Sequence, residues 1–112
     1  MLQWCHQVRF GGKAMIGEPH MMSAHGGAVE ALMDEATAEL MKIKVSPNTV
    51  TRNFHAQIMK PIEPFQTMTV ECRTVKEASG GLLVTIDGFL RDATGRVLLA
   101  KASAEMVNLS KM

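Results

Sequence analysis

The sequence predicts an α+β domain in which one long helix is set against an antiparallel sheet. Three observations point to it: a dense run of apolar residues at helical spacing from Gly27 to Lys42, four later segments in which apolar and polar residues alternate, and a length of 112 residues. A chain of this size buries roughly two-thirds of its unfolded surface, enough for one modest core. Residues 1–112 are therefore expected to form a single domain.

The elements follow in order. Trp4, Val8 and Phe10 fall mostly on one parity, which predicts a short strand over Gln3 to Phe10 ended by Gly11-Gly12. Lys13 to Ala24 contains Gly17, Pro19, Met15, Met21 and Met22, fits neither period and reads as a loop. Its flexible thioethers suit gap filling or the wall of an adaptable apolar pocket. In the helix, Ala28, Val29, Ala31, Leu32, Met33, Ala36, Ala38, Leu40 and Met41 surround the axis on most sides, and Lys42 and Lys44 sit where the dipole favours cations.

Pro47-Asn48 breaks the chain, and strands are expected over Thr49 to Met59, Gln66 to Glu77, Gly81 to Asp92 and Arg96 to Leu109. Val50, Phe54, Ala56 and Ile58 share one parity of the first, and Leu98, Ala100, Ala102, Ala104 and Met106 one parity of the last. Turn chemistry at Ser79-Gly80-Gly81 and Asp92-Ala93-Thr94-Gly95 makes these strands an antiparallel meander. Pro61 and Pro64, which lack N–H groups, suit a crossing connection between the first two strands better than a tight hairpin.

A helix with so little polar face is expected to be deeply buried, and one curved sheet covers only the side it faces. A second copy of the chain is the economical cover, which predicts a two-fold homodimer.

Composition excludes several classes. The hydrophobic fraction is 46%, the charged fraction 21% and the formal net charge +1, with Lys and Arg spread from Arg9 to Lys111. No basic run or aromatic-basic interleaving predicts a nucleic-acid partner. Cys5 and Cys72 lie far apart, without zinc-site or disulfide spacing, and read as reduced thiols of an intracellular protein. Met1 to Arg9 has no apolar export core, and no stretch reaches the roughly 18 apolar residues of a membrane span. The expected location is the cytoplasm or an organelle matrix such as that of the mitochondrion. His6, His20, His25 and His55 lack ligand spacing, so neither metal nor cofactor is predicted.

The chemistry concentrates at the start of the helix. At about 100° per residue, Glu30 and Asp34 fall on one stripe and Glu35 and Glu39 on another. Helical carboxylates ordinarily reach solvent or pair with Lys and Arg, but one at a pocket wall gains basicity by desolvation. Just before them, Gly26-Gly27 occupy the first turn, where N–H groups lack intrahelical partners and the dipole end is positive. Without Cβ atoms, such a turn lets a carbonyl oxygen approach the N–H groups, as an oxyanion hole requires. Taken alone, a Gly-Gly turn is more often an ordinary loop-to-helix junction. No G-x-S-x-G elbow is present and neither cysteine has a nucleophile's local signature, which argues against a serine or cysteine acyl-enzyme.

His25-Gly26-Gly27-Ala28 with Asp34 nine residues after the histidine resembles the signature of hotdog-fold thioesterases of the phenylacetate-pathway and 4-hydroxybenzoyl-CoA type. The likeness extends over about residues 8–109 and includes the strand Thr49 to Pro61, in which Thr51 falls where relatives carry Ser or Thr beside the acid. The resemblance implies a sheet of about five strands wrapped around the helix and hydrolysis of an acyl-CoA to free acid and CoA without a cofactor. It implies Asp34 as general base or nucleophile, the Gly27 N–H, with Gly26, as oxyanion donor, His25 as an orienting residue and Thr51 as holder of water or acid.

It also implies a site shared between subunits in a dimer or a dimer-of-dimers tetramer. The chain departs from the pattern at Pro19, where many relatives carry Asn; either His20 substitutes or the protein belongs to a branch that manages without. It also starts near the family's first strand, without the helix that usually precedes it. These departures support an alternative, a hotdog module that binds acyl-CoA or fatty acid without turnover. Dehydratase or hydratase action is disfavoured, because that branch places its His and acid differently. For CoA phosphates, Lys60, Arg73, Lys76 and Arg91 are candidates by residue type.

Overall fold

The computed structural model describes residues 3–9, 15–16, 23–24, 26–63 and 65–112. In chain order the elements are β1 (Gln3–Val8), β2 (Met15–Ile16), β3 (Ser23–Ala24), α1 (Gly26–Lys44), β4 (Thr49–Ile58), β5 (Met68–Ala78), β6 (Leu83–Asp92) and β7 (Leu98–Asn108). Five of the strands form one antiparallel sheet in the order β1-β5-β6-β7-β4, and β2 and β3 pair with each other inside the segment expected to be a loop.

The last three strands form the predicted meander, but β4 pairs with β7, not with β5. Among the described residues, 59–63 and 65–67 connect β4 at one edge of the sheet to β5 near the other, and Ile62 tucks into the core on the way with 1% exposure.

The helix lies on the sheet because the sheet is shaped to receive it. Cys72, Gly88, Ala102 and Ala56 are register partners in sequence across β5, β6, β7 and β4, so a row of small residues crosses the sheet beneath the helix. At Gly88 the approach is closest: a Cβ there would stand 2.9 Å from Met33 Cε, 3.5 Å from Cys72 Sγ and 3.7 Å from Thr37 Cγ2. Met33 stands over this row, Val29, Leu40 and Met41 are fully buried with it in the core, and each large apolar side chain so buried contributes about 1.5–3 kcal/mol.

Thr37, also fully buried, avoids a desolvation cost by donating its hydroxyl to the carbonyls of Met33 and Asp34, both at 3.0 Å. The helix stops as its chemistry dictates. The N–H groups of Val45 and Ser46 both bond the Met41 carbonyl, and Ser46 Oγ accepts from the Asn48 N–H.

Two expectations about sheet faces are corrected, both by an extra residue in a strand. In β4 the register shifts between Thr51 and Asn53, so Arg52 is the added residue. Val50 therefore pairs with Val107 on the outer face and leaves the parity of Phe54, Ala56 and Ile58, while Thr51 pairs with the buried Met106. In β7 a shift opposite Leu90 and Arg91 puts Leu98 beside Arg91 on the outer face and buries Leu99 in its place.

The expectation of an all-round buried helix is also corrected for a single chain. Val29, Met33, Ala36, Thr37, Leu40 and Met41 form its one buried stripe, while Gly27, Glu30, Ala31, Asp34, Glu35 and Lys42 are exposed.

Turn chemistry holds at both predicted sites. Ser79, Gly80 and Gly81 all take positive φ, as does Gly95. At the second turn, Asp92 Oδ1 accepts from Thr94 Oγ1 at 2.6 Å and from the Val97 N–H at 3.4 Å. The Thr94 hydroxyl and the turn's N–H groups hold the Asp92 carboxyl below its ordinary range, against a smaller opposing effect of burial.

Candidate active site

Between α1 and the β4 edge of the sheet runs a cleft of about 410 Å³. The helix contributes Ala31, Asp34, Glu35, Ala38, Glu39 and Lys42, and the sheet Thr49, Thr51 and Met106. Asp34, Ala38 and Lys42 are spaced four apart, which sets them in one row along the helix. The bulge at Arg52 delivers Thr51 to the same cleft; without the added residue, strand alternation would turn its hydroxyl to the opposite face. Arg52 Nε meets Glu105 Oε1 at 3.1 Å in an exposed ion pair.

Asp34 and Thr51, paired by position in sequence, thus line one cleft. Gly26 and Gly27 open the helix and are exposed, at the end of α1 nearer Ile58. A Cβ on Gly26 would meet only Ile58 Cδ1 at 4.0 Å, an ordinary contact, so nothing described of the protein's own packing demands glycine there. His25, Pro19 and His20 lie outside the described residues.

Arg73 and Arg91 are not brought to this cleft. Both stand on the outer face of the sheet, with guanidinium carbons 4.8 and 5.0 Å from the centroid of the Phe89 ring, and Arg91 also lies 3.9 Å from Glu71. Lys60 and Lys76 are exposed.

Sequence reasoning missed Met106 as a site residue. The Thr51 hydroxyl donates to its sulfur at 3.2 Å, a contact hidden by the bulge, since parity alone puts Thr51 and Met106 on different faces. It missed the cleft's outer end as well, where Lys42, Glu39 and Thr49 gather. A second cleft, of about 300 Å³, lies on the other flank of the helix against β1, lined by His6, Val8, Leu32, Glu35, Ala36 and Glu39.

Among the described residues no three His, Cys, Asp or Glu side chains are grouped to hold a metal ion, and no helix is long and apolar enough to cross a membrane. Burial in the sheet, reinforced by Glu71 and Cys5, pushes the Cys72 thiol up to about 12. That thiol is the reverse of an activated nucleophile.

The profile of the thioesterase superfamily matches residues 21–99, well over half of the chain and the span that carries α1 and β4 to β6. The chain belongs to the thioesterase superfamily. No curated protein matches this superfamily member. Solved structures do.

A hypothetical thioesterase from Streptococcus pneumoniae TIGR4, with coenzyme A, superposes with a TM-score of 0.79 at 14% identity, over 97% of this chain and 82% of that one. A Streptococcus mutans UA159 protein bound to acetyl CoA gives 0.75 at 20% identity, over 94% and 79%. A phenylacetic acid degradation-related protein from Ralstonia eutropha JMP134 gives 0.77 at 18%, over 94% and 75%. At these identities the likeness establishes the fold: this thioesterase-superfamily chain has the hotdog architecture, a five-stranded antiparallel sheet around one helix.

Proposed function

We propose that the protein hydrolyses an acyl-CoA thioester to a free carboxylic acid and CoA at the cleft between α1 and β4, as a single catalytic domain. The observation that carries this reading is the meeting of Asp34 and Thr51 on one cleft, the helix residue by its spacing and the strand residue by the bulge that turns it inward. Asp34 takes a proton from water, the water oxygen bonds the carbonyl carbon, and the resulting oxyanion is held by the Gly27 N–H, with Gly26, a helix start that lies outside the lining of this chain's Asp34 cleft and that a second copy would bring to it. The oxyanion then collapses, the C–S bond breaks, and the departing thiolate takes the proton from Asp34. Direct attack by the Asp34 carboxylate, followed by hydrolysis of the anhydride, is the variant of this step that the same residues support. Thr51 holds the water or the acid, and His25 orients the turn.

Acyl-CoA as substrate is supported by relatives carrying coenzyme A and acetyl CoA. An open cleft beside an exposed helix row favours a homodimer, or a dimer of dimers, in which a second copy closes the site and holds part of the CoA. An intracellular setting fits a CoA substrate.

The test is thiol release from acetyl-, medium-chain, long-chain and aryl-CoAs by the parent and by Asp34→Asn. Loss of about a thousandfold in Asp34→Asn is expected for removal of the base. A full rate in Asp34→Asn refutes the base and moves the search to Glu35 and Glu30. Pro19, standing where many relatives carry Asn, favours the second reading, an acyl-CoA or fatty-acid binding module. A parent that binds acyl-CoA and releases no thiol at any chain length decides for that module.

A further inference from the structure

Within the cleft one hydrogen bond has a fixed direction. A thioether has no proton to give, so the 3.2 Å contact between Thr51 Oγ1 and Met106 Sδ commits the single hydroxyl proton of Thr51 to sulfur. Met106 is 1% exposed and sits near the C-terminal end of β7, whereas Thr51 is open to the cleft. While its proton is engaged on sulfur, Thr51 Oγ1 offers lone pairs to the cleft that Asp34 also lines.

We propose that Met106 is a positioning residue for the attacking water, acting by fixing Thr51 as a hydrogen-bond acceptor. The proposal rests on the reading of Asp34 as base and Thr51 as water holder. A water between them then gives one hydrogen to the Asp34 carboxylate and the other to Thr51 Oγ1, which leaves an oxygen lone pair free for the thioester carbon. As the new C–O bond forms, Asp34 keeps the proton it was offered and the carbonyl π pair moves onto oxygen. The hydrogen held by Thr51 stays with the nascent acid, and loss of CoA thiolate, which takes the proton from Asp34, closes the balance. A Thr51 hydroxyl released from sulfur would instead donate to the Asp34 carboxylate or to the water oxygen, and either bond ties up an electron pair that the reaction needs.

Met106→Leu removes the acceptor while keeping nearly the same volume. Measured by thiol release, kcat should fall about tenfold with KM unchanged, because the lost bond orients water and does not touch substrate. Thr51→Val should lower kcat at least as far, and Met106→Leu added to Thr51→Val should lower it no further, since both substitutions break the same link. Met106→Ile carries the same expectation should Met106→Leu fail to fold.

Parental kcat in a folded Met106→Leu protein overturns the proposal, as does a second, multiplicative loss in the double variant, which would mark Met106 as packing alone. The underlying reading is judged separately. A full rate in Asp34→Asn, or a parent that hydrolyses nothing, removes the water site and this proposal with it, whereas loss in Asp34→Asn beside a full rate in Met106→Leu overturns this proposal alone.

Discussion

Replacing Gly88 by valine should destabilise the fold through the helix and not through the strand that carries the change. Ordinary carbon contacts lie near 3.5–4.0 Å, and a Cβ at position 88 would be 2.9 Å from Met33 Cε. Alanine asks one flexible thioether tip to swing away, a cost of about 1 kcal/mol that is partly offset because glycine is a poor strand residue. Valine adds two further methyl groups where Cys72 Sγ and Thr37 Cγ2 already stand 3.5 and 3.7 Å from that Cβ, and neither of these can leave, since both side chains are fully buried.

The expected net losses are about 0–1 kcal/mol for Gly88→Ala and about 2–3 kcal/mol for Gly88→Val. In urea melts the valine variant should lose about 1–2 M in its midpoint with the slope unchanged. Shortening the neighbour should recover the alanine loss, so Gly88→Ala with Met33→Leu is expected to be at least as stable as Gly88→Ala alone. A Gly88→Val protein with the parental midpoint would refute the claim that this row of small residues sets the height of the helix.

Other outcomes follow from the same structure. Cys5 is exposed and Cys72 buried, so an aromatic disulfide reagent at neutral pH should titrate one thiol in the native protein and both in denaturant. Because the folded Cys72 thiol is raised from its ordinary 9.0 to about 12, the unfolded chain sheds that proton first, and stability should fall as pH rises through that window, with Cys72→Ala showing less of the fall. The Asp92 carboxyl is lowered, chiefly by Thr94, so its contribution is present above its unfolded value and lost as pH falls through the folded one; Thr94→Ala should flatten the acid limb of a stability profile and leave the alkaline limb alone. Sizing at micromolar concentration should give at least a dimer, and a stable monomer with full activity would remove the second copy from the site.

What the sequence made legible was whatever short-range chemistry controls. The helix spans Gly26–Lys44 against an expected Gly27 to Lys42, and each of the last four strands starts and ends within about two residues of its expected bounds, because proline, glycine and alternation punctuate the chain locally. The 59–67 crossing was visible in Pro61 and Pro64. The faces of Val50 and Leu98 were not, since a bulge is an agreement between two strands far apart in sequence and leaves no mark in the periodicity of either. The pairing of β4 with β7 was hidden for the same reason. Of the candidate site, Asp34 and Thr51 were marked through the resemblance to hotdog thioesterases, Asp34 by standing nine residues after His25 and Thr51 by its place in the strand after the helix. Met106 could not be, because its role depends on which way Thr51 turns, and it carries the same apolar signature as any core methionine.

The bulge at Arg52 acts as a phase shift in the wiring of β4. Upstream of it odd-numbered residues face the helix, and downstream even-numbered ones do, so the strand serves the cleft with one half and the core with the other. A chain drifting through substitutions alone can exchange either set without disturbing the other. A gain or loss of one residue between Thr51 and Asn53 is a different kind of event: it would carry Thr49 and the Thr51 hydroxyl out of the cleft and turn Val50 toward it in one step, leaving the core-facing half of the strand where it stands.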